Sequence, residues 1–131
     1  MITDERKRAA IWMARGRTVL GLAALAAPAP IVGVWTGGES TGPSRALGRF
    51  IGGRDLTLGV GTIIAVESGD GGANWLSVCA VVDGIDAAVS LLQPGLPRRT
   101  RLLAVFAAAS AVLHFRVAKE IAVIEDPDAR V

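Results

Sequence analysis

The stretch Arg45-Ala-Leu-Gly-Arg-Phe-Ile-Gly-Gly-Arg-Asp-Leu-Thr-Leu-Gly-Val-Gly61 sets an arginine and an aspartate, Arg54 and Asp55, side by side inside an apolar segment that runs from Arg45 to Val66. The next apolar segment, Asn74 to Gln93, repeats the anomaly with Asp83 and Asp86 near its middle. Both segments have the length of a membrane-crossing helix, about 20 residues. Ionisable groups in hydrocarbon are expensive, face the bundle interior or a cavity, and mark a site. The pattern therefore predicts a membrane bundle with a polar centre.

Helical spacing says which faces turn inward. Arg45, Gly48, Gly52, Asp55, Gly59 and Thr62 recur at steps of 3, 4, 3, 4 and 3, a single stripe of small and polar residues. Gly48, Gly52 and Gly59 are its packing positions, since small residues let helices approach closely where lipid supplies no hydrophobic drive to association. Cys79, Asp83, Asp86, Ser90 and Gln93 form a second stripe. Ala107, Ser110 and His114 form a third, and Arg17, Gly21 and Ala24 a fourth. Leu, Ile, Val and Phe are left for the lipid.

Outward from these segments the chain reads as a single all-α membrane domain over residues 1–131. Four helices are expected, at about 11–27, 45–66, 73–93 and 98–124, as an antiparallel four-helix transmembrane bundle. Pro28 and Pro30 stop the first helix, with Ile31 to Trp35 an interfacial continuation. Ser44 is the expected N-cap of the second helix, and Pro94-Gly-Leu-Pro97 ends the third. The N-terminal segment fits an uncleaved first helix better than a removable signal. That helix is short for a span, so an interfacial placement stands as the alternative. Counting Arg and Lys puts both termini on the cytoplasmic side of a multi-pass protein of the cell inner membrane.

Composition excludes several classes. The chain is 51% hydrophobic and 20% charged, with no Lys or Arg between Leu56 and Arg98. Basic residues cluster at the ends of apolar runs, as headgroup-facing residues do, so the basic balance does not imply a nucleic-acid partner. Cys79 is the single cysteine, which rules out an intrachain disulfide. No nucleophile–base constellation, dinucleotide loop or metal-ligand spacing is present, so neither catalytic nor metal residues are assigned, no cofactor is expected, and the chain is read as a non-enzyme.

The charged centre has two readings. In the first, Arg54 is forked onto Asp83 or Asp86 and clamps helices together, with Arg17, Arg49 and His114 as contributors. In the second, three carboxylates against one arginine leave surplus negative charge that serves a proton, a cation or a small lipophilic molecule such as a quinone.

The segment Arg45 to Gly61, with Val82-Asp-Gly-Ile-Asp-Ala-Ala88, resembles an uncharacterised family of small bacterial four-helix integral-membrane proteins. Its members pair an RDLxLG helix with a DxxDA helix and are loosely similar to the DoxX-like group, some of which accompany quinone-linked oxidoreductases. The resemblance singles out Arg49, Arg54, Asp55, Asp83 and Asp86; Gly53 stands where the family often has Ala. It implies a fold and a site but no activity. The expected role is an accessory or scaffold subunit of a membrane complex, with the bilayer and a protein partner or a second copy as its surroundings. A carrier or relay is the alternative.

Overall fold

A computed structural model describes residues 2–126, with side chains described from Asp4 onward. The described residues are all-helical, in five elements: α1 (Ile2–Ala26), α2 (Pro28–Thr36), α3 (Gly42–Ser68), α4 (Gly72–Leu92) and α5 (Arg98–Glu125). The expectation of four helices missed α2. Pro28 does end α1, but it also occupies the first turn of the next helix, where a missing N–H costs nothing and its fixed φ suits helix. The two helices bend by 100° at this junction. Gly37, at φ 77°, closes α2 in the left-handed conformation that glycine adopts without strain.

Other boundaries shift for local reasons. α1 begins at Ile2 rather than near Ile11; Asp4 and Glu5 lie in its first turn, where negative charge complements the helix dipole. Thr41, not Ser44, caps α3. Thr41 Oγ1 accepts from the Ser44 N–H at 3.3 Å and Ser44 Oγ accepts from the Thr41 N–H at 2.8 Å, a reciprocal capping box that tolerates Pro43 between them. The start of α4 is capped from a distance: the Gly72 and Ala73 N–H groups donate to the Glu125 carboxylate at 2.7 and 3.2 Å.

α1 lies along α3 with its backbone nearly touching. A Cβ on Gly52 would lie 2.8 Å from the Gly21 carbonyl and from the Leu25 nitrogen; one on Gly59 would lie 2.7 Å from the Ala14 carbonyl. These pairings run in opposite directions along the two helices. Gly48 of the same stripe meets Pro28 and Val32 of α2. The glycine stripe thus receives α1 and α2. α4 and α5 make the second close pair, and the two pairs face each other.

The interior is layered along the helices. At one end Ala10, Val66, Leu76, Val117, Ala118 and Ile121 form a closed apolar cluster. The ionisable residues occupy the middle. At the other end α2 is fastened by Thr100 Oγ1 donating to the Trp35 carbonyl at 2.6 Å and by Trp35 Nε1 donating to Ser90 Oγ at 3.0 Å. The outer surface carries large apolar side chains, including Phe50, Ile64, Val81, Leu92 and Phe106. Small and polar inside with large and apolar outside is the arrangement a bilayer selects.

Length and apolar composition suit α4 and α5 to crossing a membrane, and α1 with α2 as a third if the bent pair is one broken span. α3 is long enough, yet every stretch of 18 residues in it contains Arg54, Asp55 and at least one further charge. Arg54 and Asp55 turn toward the centre they help to build, while Arg45, Arg49 and Glu67, nearer the helix ends, are exposed.

Candidate functional site

Five charged side chains from three helices meet at the midpoint of the fold, and the fourth long helix supplies a serine and a histidine. Arg17, on α1, is only 9% exposed. Its Nη1 donates to Asp55 Oδ1 of α3 at 3.1 Å, and its Nη2 donates to Asp83 Oδ1 of α4. The other oxygen of Asp83 accepts from Ser110 Oγ of α5 at 2.6 Å and lies 3.1 Å from His114 Nδ1. Arg17, Asp55, Asp83, Ser110 and His114 therefore form one connected chain through all four long helices.

A second arginine completes the group. Arg54 grips Asp86 with both nitrogens of its fork, Nη1 to Oδ1 at 2.9 Å and Nη2 to Oδ2 at 2.8 Å. Its Nε also donates to Asp55 Oδ1 at 3.1 Å. Asp55 thus receives both guanidinium groups and couples the two halves. Bidentate pairing of this kind is the strong form of the interaction. Lysine offers a point charge in place of the fork. Arg54→Lys is accordingly expected to cost about 1–2 kcal/mol, read as lower thermal stability of the solubilised protein, with assembly retained.

The expected residues are thus placed unevenly. Arg54, Asp55, Asp83 and Asp86 come together, but the sequence assigned the fork loosely to Asp83 or Asp86 and gave Arg17 a supporting part. Arg17 is the hub, bonded to two of the three carboxylates, and Arg54 takes the third. Arg49 is exposed and lies apart from the group, and Gln93, at the end of its stripe, is exposed as well. Cys79 is buried, with Sγ 3.7 Å from Thr62 Oγ1. Ser110 was legible as a seam residue, though not as the partner of Asp83.

The charge count changes with Arg17 included. Two guanidinium groups face three carboxylates, leaving one negative charge when His114 is neutral and none when it is protonated. Among the described residues no three His, Cys, Asp or Glu side chains are grouped to hold a metal ion. Two clefts flank the network and share Asp55 and Ala107 in their walls. One, of about 490 Å³, lies between α1 and α5; the other, of about 370 Å³, lies under α2 beside Arg54 and Asp86.

No family model, curated protein or solved structure matches the chain.

Proposed function

We propose that this chain is a small multi-pass membrane protein whose four long helices form an antiparallel bundle locked by the Arg–Asp network, and that it serves as an accessory or scaffold subunit of a membrane complex. The observation that carries this reading is the single bonded chain from Arg17 through Asp55 and Asp83 to Ser110 and His114. Each carboxylate is engaged by an arginine within the molecule. Such a closed arrangement suits a rigid framework better than an ion path, which needs groups that exchange partners. In a medium without water, self-satisfied polar groups are also what allow charged helices to be buried at all.

With Arg17 taken up inside, the surface cations still lean toward the terminal side. Arg6, Lys7, Arg8, Arg15, Arg116 and Lys119 stand there, against Arg45, Arg49, Arg98, Arg99 and Arg101 on the other. In this reading both termini face the cytoplasm from the inner membrane, on the side with the excess of Lys and Arg.

Purification in a mild detergent tests the role. A protein partner in fixed stoichiometry is the expected result, retained in Arg49→Ala, because Arg49 lies outside the network. Recovery of the chain alone, as monomer or homo-oligomer, from membranes expressing it at native level would sink the subunit reading.

A further inference from the structure

The cleft between α1 and α5 is walled by Gly16 and Leu20 on one side and Phe106 and Leu113 on the other, and the ionic network reaches it through Arg17 and His114. Leu20 and Phe106 are 61% and 81% exposed, so the cleft opens sideways through the apolar outer surface. Gly16 leaves room at its mouth: a Cβ there would meet nothing within 4 Å.

His114 gives the cleft a chemical preference. Its ring is buried, 4% exposed, and all its hydrogen bonds use Nδ1. Nδ1 sits 3.1 Å from Asp83 Oδ2 and 3.0 Å from the Ser110 carbonyl, both acceptors, so the network assigns the hydrogen to Nδ1. Among the described residues Nε2 then has no partner. Arg17, which lines the same cleft, holds the one buried side-chain N–H without a partner among the described residues, its Nε. A polar cleft wall that holds an unpaired acceptor, Nε2, and an unpaired donor, Arg17 Nε, suits a ligand with a polar head.

We infer that this cleft binds a small uncharged amphiphile, a lipophilic alcohol or phenol, with its hydroxyl on His114 Nε2 and its apolar body between α1 and α5. A hydroxyl can donate to the bare Nε2, which an ether or a ketone cannot do. An anionic head would add to the surplus negative charge of the network and is disfavoured. The sideways mouth selects a molecule that arrives dissolved in the bilayer, and the volume is in the range of small-molecule sites.

Nanodiscs holding the full chain, titrated with para-octylphenol and with its methyl ether against empty nanodiscs, test the site. The expected result is saturable binding of about one phenol per chain, with the ether at least roughly tenfold weaker because it cannot donate. Gly16→Leu fills the mouth, and it favours helix over the glycine it replaces. It should bind the phenol at least roughly tenfold more weakly while keeping the wild-type melting temperature or exceeding it. Binding no greater than in empty nanodiscs, equal affinity for phenol and ether, or unchanged affinity in Gly16→Leu would each overturn the proposal.

Discussion

Replacing Arg17 by leucine is expected to destabilise the solubilised protein by about 3–5 kcal/mol, the largest effect of any single substitution in the network. The arithmetic is asymmetric. Forming a buried ion pair roughly balances desolvation against attraction, whereas removing one partner strands the other in low dielectric. Arg17→Leu strands Asp83 on its arginine-facing side and leaves Asp55 with Arg54 alone. The three carboxylates then share a single guanidinium. Two of the contacts that tie α1 to the other helices disappear in the same step. Thermal unfolding in detergent, or the denaturant midpoint in mixed micelles, reads the loss. Arg49→Leu is the matched control: it removes the same charge from an exposed site, and surface changes of this kind stay within about 0.5 kcal/mol.

The second large effect is steric and involves no charge. Gly52→Leu should separate α1 from α3. A Cβ at Gly52 already meets the Gly21 carbonyl and the Leu25 nitrogen at 2.8 Å and the Ala24 Cβ at 2.9 Å. Two of these neighbours are backbone atoms, which cannot rotate away. Overpacking of this kind costs about 1–3 kcal/mol where side chains can yield, and more where they cannot. Because Arg17 reaches Asp55 and Asp83 only while α1 lies against α3, the substitution should also loosen the network. Gly53→Leu, one position on, faces open space with nothing within 4 Å and should be tolerated. If Gly52→Leu and Gly53→Leu unfold at the same temperature, the close approach of α1 and α3 is wrong.

These two positions also show how far the residues alone could be read. The inward faces were legible, because small and polar residues at alternating steps of three and four can share only one side of a helix. Which neighbour each face meets was not legible. Gly48, Gly52 and Gly59 receive α2 and α1, and helical spacing carries no information about the partner. Arg17 was found as a seam residue but ranked below Arg54, since it stands among the N-terminal basic residues and outside both anomalous segments. Its importance comes from its bonds to Asp55 of α3 and Asp83 of α4, and spacing along α1 does not say which helices that face meets.

The ends of elements were harder for similar reasons. Pro28 carries the same sequence signal whether it ends a helix or starts one, and here it does both. Thr41 was not legible as a cap because Pro43 obscures where the helix starts, although a proline in the first helical turn is compatible with a capping box. Glu125 capping α4 is a contact between helices, and spacing along α5 does not say which helix its end meets. The charge balance moved for the same physical reason. Counted at the middles of the two anomalous segments it is three carboxylates, Asp55, Asp83 and Asp86, to the single arginine Arg54; counted across the assembled centre it is three to two, with His114 beside them.

The most direct measurement of the central claim is a double-mutant cycle on Arg17 and Asp83, using Arg17→Leu, Asp83→Leu and the double variant, each followed by unfolding in the same detergent. If the two residues clamp α1 to α4 inside the bundle, the losses are strongly non-additive. The double variant, with both charges gone, should then recover about 2 kcal/mol or more relative to the sum of the singles. Losses that add to within about 0.5 kcal/mol would show the two side chains to be energetically independent and would contradict the clamp.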